Sequence, residues 1–549
     1  MRTTDFFAVC TFIPETFYKA ILFNRQKIFL TLVSGLLLTA AFPEWGFSYL
    51  AWIALVPLLV SLRDLSPGNG FRAGFMTGMV HYLTLMYWLA YTMSTYGNMP
   101  WYICGPVLFL FAAYLACYPA FFSMFLIRVG RGSPLGLLTA PLLWTALEYV
   151  RTFLFSGFPW ELLGYTQFDL LPLIQIADIT GVYGVSFLIV LVNAVICRAV
   201  LCHKGRTWHG AAAGKYATAL QLSAVCLVAG TLWGYGVWRM QAVDRSMARA
   251  PSARISVVQG NIDQSMKWDR AFQTATTRKY VRLSLDAREK NPELVVWPET
   301  ATPFYFLYHP RLTKMVKEGV RRTGCDFLIG SPSFSSRGDR IEYYNSAYLV
   351  HPDGTSGHRY DKVHLVPFGE YVPLKKWLPF AGKIVAHVGD FRPGSRGVTL
   401  AWQNYRLGVQ ICYEMIFPDL SRAAVGNGAN LLFNLTNDAW YGRTGAPYQH
   451  FSMAVLRAVE NHRWVVRAAN TGISGFIDPV GRIAAGTSLF EDAVVTHNVF
   501  LGRDISFYTR WGDLFAQACL GGIFFIIVRQ FAGRFGKPGR SNRFGPGKL

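Results

Sequence analysis

Three polar residues lie at the ends of predicted strands or in an extended segment, and together they carry the groups of a covalent mechanism. Glu299 follows the run VVWP, Lys362 lies in YDKVHLVPFGEYVP, and Cys412 ends LGVQIC. A thiol with a pKa of about 8.5 needs a base or a positive neighbour to become a good nucleophile. A carboxylate can take and return its proton, and an ammonium can stabilise a tetrahedral oxyanion. These side chains predict covalent chemistry through a thioester on Cys412.

Each residue also has a simpler interpretation when taken alone. A carboxylate after a strand is usually a turn or a helix cap, a lone lysine is usually on the surface, and a cysteine at a strand end is usually inert core. Cys325, at the start of another predicted strand, is interpreted as core. Three histidines are predicted to be structural, because a base and an oxyanion donor are present without a Cys–His pair. They are His364, His450 and His462.

The elements that position the trio are predicted to form a soluble α/β domain. Between residues 239 and 510, short apolar or β-branched runs alternate with amphipathic stretches and with Gly, Pro, Asn and Asp turns. Catalytic groups are commonly found where strands end. The runs suited to buried strands are residues 254–259, 293–297, 327–330, 406–412 and 430–434, and helical patterns cover residues 270–290 and 310–322.

The rest of the chain is predicted to be a membrane α-helical bundle. Hydrophobic residues make up 52% of the 549 residues and charged residues only 15%, a balance poor in charge for a soluble protein. Crossing a bilayer takes roughly 20 apolar residues. Eight candidate transmembrane helices follow, at residues 28–42, 47–62, 73–93, 101–127, 135–155, 179–197, 217–238 and 511–528.

The distribution of basic residues predicts the orientation of these spans. Lysine and arginine are enriched in alternate connectors and in both termini, whereas the connectors at residues 43–46 and 96–100 carry none. The positive-inside rule then places both termini in the cytoplasm and accounts for much of the net charge of +21 without nucleic acid. The predicted domains are a seven-helix transmembrane domain (1–238), an outer catalytic domain (239–510), and a last transmembrane helix with a basic cytoplasmic tail (511–549).

Three motifs carry a resemblance to a known family. Trp-Pro-Glu-Thr at 297–300, Tyr-Asp-Lys with Phe-Gly-Glu-Tyr-Val-Pro at 360–373, and Ile-Cys-Tyr-Glu at 411–414 resemble, in order and spacing, the carbon-nitrogen hydrolase (nitrilase) superfamily. With the predicted spans, the whole chain is similar to the apolipoprotein N-acyltransferase family. The resemblance implies an αββα sandwich in the periplasm, carried by a multi-pass protein of the bacterial inner membrane. It also implies transfer of an acyl group from a phospholipid to the α-amino group of the diacylglyceryl-cysteine of an apolipoprotein.

The resemblance further implies roles for residues around the trio. Glu370 would orient the lysine and support the base, while Tyr413 and Glu414 would border the nucleophile. Trp160 and Trp268 match aromatic positions that line a lipid-facing cavity in the family. These assignments are implied by the family pattern.

Two further features concern the membrane. A thioester must be kept from bulk water, and two aromatic segments, PFYFLYH at 303–309 and LKKWLPF at 374–380, are predicted to dip toward the outer leaflet. Glu148 and Arg151 lie three residues apart near the outer end of the fifth predicted span. Charged residues inside a membrane are costly, so this pair is predicted to satisfy itself on one helix face.

Other classes of function have less support. The sequence contains no Cys-x-x-Cys pair, no His-Glu-x-x-His and no phosphate-binding Gly-rich loop, so no metal and no cofactor are predicted. A membrane-tethered amide or nitrile hydrolase, with water as acceptor, stays open because the trio does not determine the acceptor. A transporter or scaffold with a degenerate outer domain is the third alternative, and the intact trio argues against it.

Overall fold

The computed structural model describes residues 25–133, 135–212, 214–338, 340–372 and 391–535. The predicted arm at 374–380 and the basic residues before residue 25 and after residue 535 lie outside the described residues. The described chain forms a helical part and a part built on two sheets.

The helical part contains three helices that are long and apolar enough to cross a membrane. Its helices are α1 (Arg25–Ala40), α2 (Val56–Leu62), α3 (Pro67–Leu85), α4 (Trp88–Thr95), α5 (Trp101–Gly130), α6 (Ala140–Phe153), α7 (Leu171–Ile174), α8 (Ala177–Thr180), α9 (Val182–His203) and α10 (Lys215–Met247). The three long apolar helices are α5, α9 and α10. The third predicted span is divided between α3 and α4, and a short hairpin, β1 (Thr207–Trp208) and β2 (Ala211–Ala212), connects α9 to α10.

Small residues allow α3 and α5 to pack closely. A β-carbon added at Gly74 would lie 2.1 Å from the carbonyl oxygen of Pro119, and one at Gly78 would lie 2.7 Å from the α-carbon of Ala116. Only glycine leaves room for the opposing backbone at these distances. The small-xxx-small pattern of α3 therefore marks a helix contact within the bundle.

The predicted pairing of Glu148 with Arg151 is wrong. Glu148 Oε1 accepts a 2.8 Å hydrogen bond from the backbone N–H of Leu163, and Arg151 donates to the hydroxyl of Tyr82 and to the carbonyl oxygen of Trp160. Among the described residues the hydrogen bonds of both side chains go to other groups and no ion pair joins the two. The loop after α6 folds back over the helix end and offers backbone groups to both side chains, which a helical-face argument cannot foresee.

The second part is a sandwich of two six-stranded sheets. The first has the spatial order β14 (Ala493–Phe500), β3 (Ser252–Gln259), β4 (Leu294–Val296), β5 (Asp326–Arg337), β6 (Arg340–Val350) and β7 (Ser356–Asp361). The second has the order β13 (Ile483–Gly486), β12 (Gly475–Ile477), β11 (Val465–Ala469), β10 (Leu431–Thr436), β9 (Tyr405–Ile411) and β8 (Thr399–Trp402). Strands β3, β4 and β5 run parallel, as do β9, β10 and β11.

Helices cover both outer faces of the sandwich, so the predicted αββα arrangement is confirmed. They are α11 (Gln264–Lys267), α12 (Arg270–Ala287), α13 (Pro310–Thr323), α14 (Pro418–Gly426) and α15 (Ala446–Asn461), followed by α16 (Phe507–Trp511) and the last apolar helix α17 (Leu514–Phe535). In β3, Val257 belongs to the core between the sheets, whereas Val258 packs under α12 and α13. Both faces of the strand are buried, which explains its continuous apolar run.

The strand ends bring the trio to one region. Glu299 follows β4, Lys362 follows β7, and Cys412 follows β9 of the other sheet. The helical part packs against the sandwich near this region through α15, where Gln449 accepts a 2.9 Å hydrogen bond from the indole of Trp160. The site therefore forms between the two sheets and beside the apolar helices of the helical part.

Candidate active site

Cys412 lies at a sharp turn between β9 and a 3-10 helix, Cys412–Ile416. Its φ of 54° is in the left-handed region, which residues other than glycine rarely adopt. The Cys412 carbonyl oxygen accepts hydrogen bonds from Asn434 Nδ2 and His450 Nε2, both at 3.2 Å. The residue is only 6% exposed. The thiol thus belongs to a strained and buried turn, a conformation that tends to cluster at active sites.

Glu299 presents one oxygen to the protein and leaves the other without a donor. Its Oε1 accepts a 2.7 Å hydrogen bond from Asn345 Nδ2 and lies 3.7 Å from Lys362 Nζ. Its Oε2 is buried and has no hydrogen-bond partner among the described residues. An unsatisfied buried oxygen is costly unless a proton or a substrate group reaches it. Oε2 is therefore an available proton acceptor in this site.

Lys362 is a buried ammonium held by two carboxylates. Its Nζ lies 2.9 Å from Oε2 of Glu370 and donates to Oε1 of the same residue at 3.0 Å. Burial alone would lower the pKa of Lys362, but the negative charges of Glu370 and Glu299 outweigh it and hold this pKa above its ordinary value. The ammonium therefore stays charged, as oxyanion stabilisation requires.

Asn345 is a site residue that the sequence reasoning missed. Its Nδ2 donates both to Glu299 Oε1 at 2.7 Å and to Glu370 Oε1 at 2.9 Å, so it links the two carboxylates. Glu370 also accepts the backbone N–H of Val366 at 2.8 Å, which holds its carboxylate beside Lys362. A polar amide inside the long strand β6, where asparagine is disfavoured, is the signal that could have indicated Asn345.

The charges around Cys412 favour the thiol over the thiolate. Burial raises the pKa of Cys412 to about 12, and the carboxylate of Glu299 acts in the same direction. The ammonium of Lys362 lowers the pKa of this thiol but does not offset the other two effects. The Cys412 thiol therefore holds its proton in the resting site, and it could act as a nucleophile only if a base removed that proton.

Lys267 is a second buried ammonium that the sequence reasoning missed. Its Nζ donates to the backbone carbonyl oxygen of Glu299 at 3.0 Å, and the residue is only 1% exposed. Burial lowers the pKa of Lys267 to about 8, and the negative charge of Glu299 partly counters this shift. Its place directly before Trp268 is the only sequence signal that could have indicated it.

A cleft of about 870 Å³ opens beside these residues. Val363 and His364, which follow Lys362 in the chain, line it together with Tyr371 and Arg392, whereas Glu299, Lys362 and Cys412 are not among its lining residues. Its volume lies within the range of about 300–1,000 Å³ that is common for small-molecule sites.

Comparison with known proteins identifies the family. The family described as "Apolipoprotein N-acyltransferase N-terminal domain" matches residues 34–195, and "Carbon-nitrogen hydrolase" matches residues 254–504. An apolipoprotein N-acyltransferase of Geobacter metallireducens is 47% identical over 92% of this chain and 96% of its own length. One of Methylococcus capsulatus is 34% identical over 94% of this chain and 100% of its own length. The chain belongs to the apolipoprotein N-acyltransferase family.

Members of the apolipoprotein N-acyltransferase family are membrane enzymes, which agrees with the three long apolar helices described above. Among solved structures, an amidase from Nesterenkonia sp. AN1 is 19% identical with a TM-score of 0.36, covering 48% of this chain and 98% of the amidase. The family matches, and not this amidase structure, show that the chain is an enzyme of the apolipoprotein N-acyltransferase family with a carbon-nitrogen hydrolase domain.

In this family member, Tyr413 and Glu414 follow Cys412 directly, and their supporting roles stay a prediction. The carboxylate of Glu414 accepts the backbone N–H groups of Ile411 and Val363, both at 2.6 Å, and so ties the strand end before Cys412 to the segment after Lys362. Burial raises the pKa of Glu414 to about 7, while these N–H donors lower it. Tyr413 is buried and its ring lies 5.2 Å from that of Phe417.

The two tryptophans implied by the resemblance have different surroundings. Trp160 is fully buried, and its ring stacks on His450 at a centroid distance of 5.7 Å and contacts Trp88 at 5.0 Å. Trp268 is 43% exposed at the end of α11. A role in lipid binding stays a prediction for both, and Trp160 acts in the described structure as part of an aromatic cluster between the helical part and the sandwich.

The remaining predicted core and structural residues are buried or paired. Cys325 is 7% exposed at the start of β5, which confirms its interpretation as core. His364 stacks on Phe417 at 3.8 Å, and His462 Nε2 lies 3.2 Å from Asp178. His450 contacts the carbonyl oxygen of Cys412, as described above.

Proposed function

We propose that this enzyme takes an acyl group from a phospholipid onto Cys412 as a thioester and then passes it to the α-amino group of a diacylglyceryl-cysteine at the N-terminus of an apolipoprotein. The observation that carries the proposal is the unpartnered Oε2 of Glu299, in a buried site that also contains the Lys362 ammonium and a protonated thiol. These are the base, the oxyanion partner and the nucleophile of thioester chemistry.

In the first half-reaction, Glu299 takes the proton of Cys412 as the sulfur attacks the ester carbonyl carbon of the phospholipid. Lys362 stabilises the oxyanion that forms on the carbonyl oxygen. When the intermediate collapses, the carbon–oxygen bond to the glycerol breaks and Glu299 returns the proton to the departing alkoxide. The lysophospholipid leaves, and the acyl group stays on Cys412.

In the second half-reaction, the neutral amine of the acceptor attacks the thioester carbonyl. Glu299 collects the proton that the amine nitrogen loses, and Lys362 again stabilises the oxyanion. Collapse breaks the carbon–sulfur bond, and the proton returns to the Cys412 sulfur. The products are the amide and the original enzyme, so the reaction needs no water, and water that reached the thioester would divert it to hydrolysis.

The same proposal includes eight transmembrane helices, with the catalytic domain (239–510) on the periplasmic face of a bacterial inner membrane and helical segments at 1–238 and 511–549. Two contacts support a common side for the basic connectors. Lys27 Nζ donates to the carbonyl oxygen of Arg63 at 2.6 Å, and Gln530 Nε2 donates to that of Val129 at 2.8 Å. The start of the first helix therefore lies beside the connector after the second span, and the end of the last helix lies beside the connector after the fourth, as the positive-inside rule expects of these basic segments.

Mass spectrometry tests the proposed function. The purified full-length enzyme is incubated with a diacyl phospholipid, and the peptide containing Cys412 is examined before and after treatment with hydroxylamine, which cleaves thioesters. We expect one fatty acyl mass on this peptide, its loss in hydroxylamine, and its transfer to an added diacylglyceryl-cysteine peptide. Free fatty acid without amide product would support the amide hydrolase alternative, and an acyl group on another residue would refute the assignment of the nucleophile.

A further inference from the structure

A buried imidazole supports the backbone turn of Cys412. His450, in the first half of α15, is fully buried, and its Nε2 lies 3.2 Å from the Cys412 carbonyl oxygen. Asn434 contacts the same oxygen at 3.2 Å. Because Cys412 has a φ of 54°, its carbonyl points away from the regular strand direction and needs donors of this kind to satisfy it.

The partners of His450 determine which nitrogen carries its proton. A carbonyl oxygen can only accept, so Nε2 must be the protonated nitrogen. At the other side of the ring, Nδ1 lies 3.0 Å from an Arg467 nitrogen, which can only donate. The second neighbour of Nδ1 is Asp438 Oδ1 at 3.1 Å, and the Asp438 carboxylate forms a 2.7 Å ion pair with Arg467. Burial and the Arg467 charge lower the pKa of His450 more than the Asp438 carboxylate and the Cys412 carbonyl raise it, so the ring is neutral with its proton on Nε2.

Trp160, which belongs to the helical part, holds the plane of this imidazole. The Trp160 ring stacks on it with an interplanar angle of 28° and a centroid distance of 5.7 Å. Trp160 is itself held at two points, because its indole N–H donates to Gln449 at 2.9 Å and its carbonyl oxygen accepts from Arg151 of α6 at 3.4 Å. A chain of contacts therefore runs from α6 through Trp160 and His450 to Cys412.

We propose that His450 is a positioning residue that holds the turn of Cys412 in its reactive direction through the Nε2–H hydrogen bond, and that Trp160 of the helical part fixes the imidazole for this task. The inference rests on the proposed role of Cys412 as nucleophile. It means that the geometry of the nucleophile depends on the contact between the membrane helices and the sandwich, so the catalytic domain separated from the helices would have a misplaced thiol.

Two substitutions of His450 separate positioning from general stability. The amide nitrogen of glutamine reaches the position of Nε2, whereas that of asparagine reaches only the position of Nδ1. His450→Gln therefore keeps a hydrogen-bond donor for the Cys412 carbonyl oxygen. His450→Asn loses that donor and keeps only a polar group that can contact Asp438 and Arg467. The readout is the rate constant for alkylation of Cys412 by iodoacetamide in the full-length enzyme, followed on the Cys412 peptide, with the thermal unfolding midpoint measured in parallel.

We expect His450→Gln to lower the alkylation rate constant of Cys412 about threefold or less and His450→Asn to lower it about tenfold or more, because only a thiol held beside Lys362 has its pKa lowered by that charge. Wild-type alkylation rates in both variants, or equal losses in both with unchanged midpoints, would overturn the inference. Alkylation needs no lipid. A wild-type enzyme that alkylates normally but never acquires an acyl group would therefore refute the proposed function without affecting this test.

If both His450 variants unfold, a second pair of variants tests whether the stacking of Trp160 on His450 positions Cys412. Trp160→Phe keeps an aromatic face on the imidazole, and Trp160→Leu removes it. We expect the leucine variant to lower the alkylation rate of Cys412 several-fold more than the phenylalanine variant. Equal rates in the two would show that the stacking contact does not position the nucleophile, and the inference would fail.

Discussion

The Nζ of Lys362 lies 3.7 Å from Oε1 of Glu299, while Oε2 of the same carboxylate has no hydrogen-bond partner among the described residues. The cation and Asn345 thus occupy one oxygen of Glu299 and leave the other available for a proton. In the proposed mechanism this arrangement separates two tasks, because Glu299 would act as the base through Oε2 while the Lys362 ammonium remains charged.

Glu299→Gln keeps the shape of the side chain and removes the base. We expect acylation of Cys412 at neutral pH to fall by about a hundred-fold or more, since general bases typically contribute factors of this size. Burial and the Glu299 charge raise the pKa of Cys412 to about 12, so losing that charge lowers the pKa of the thiol. Alkylation by iodoacetamide should therefore increase with pH above neutrality in the variant, while its acyl transfer stays slow. Wild-type acylation at neutral pH would assign the base to Glu370 or Glu414.

The Lys362→Met variant should lose acylation of Cys412 for a different reason. The variant loses the oxyanion partner and the positive charge that lowers the pKa of Cys412, so both acylation and alkylation should slow. We expect acylation to fall by about a hundred-fold or more. Lys279→Met, which removes an ammonium paired with Asp492 away from this site, is the matched control and should react normally. Unchanged alkylation by Lys362→Met would contradict the charge effect on the thiol.

Variants of Cys412 and Cys325 test which cysteine is the nucleophile and which belongs only to the core. Cys412→Ala should abolish both uptake of acyl groups from phospholipid and transfer to the acceptor, whereas Cys325→Ala should retain both. Steady-state rates measured over both substrates should follow ping-pong kinetics, because the acyl group is stored between two half-reactions. Transfer by Cys412→Ala at the wild-type rate would refute the thioester mechanism.

Reporter fusions test the topology. A reporter fused after Trp238 or before Trp511 should behave as periplasmic, and one fused near Lys204 as cytoplasmic. Activity of a cytoplasmic reporter at positions between Arg254 and Arg503 would place the catalytic domain on the wrong side for the proposed reaction and overturn the orientation.

The lowered pKa of Lys267 predicts that the stability of the fold depends on pH. Burial lowers the pKa of Lys267 to about 8 in the fold, below the value of 10.5 expected for the unfolded chain. The unfolded state therefore binds this proton more tightly, and the destabilising cost of burying the charge is complete below pH 8 and disappears as the pH rises toward 10.5. The thermal midpoint of the wild type should rise between these pH values relative to that of Lys267→Met. A constant difference between the two midpoints would refute the shift.

Local sequence determined which residues could do chemistry and where the apolar spans lie. Glu299, Lys362 and Cys412 could be selected because motifs and strand ends are local features, and the αββα arrangement followed from the family resemblance. The period and length of apolar runs likewise depend only on neighbouring residues.

Tertiary structure alone decided the contacts that make these residues a site. Asn345 reaches Glu299 only in the observed register, in which Phe327 of β5 pairs with Val350 of β6, because a slip by one residue turns every side chain of a strand to the other face. The contact of Trp160 with His450, like the separate partners of Glu148 and Arg151, joins segments from different elements. Such contacts depend on how helices and sheets pack together, and no local pattern in the sequence records that packing.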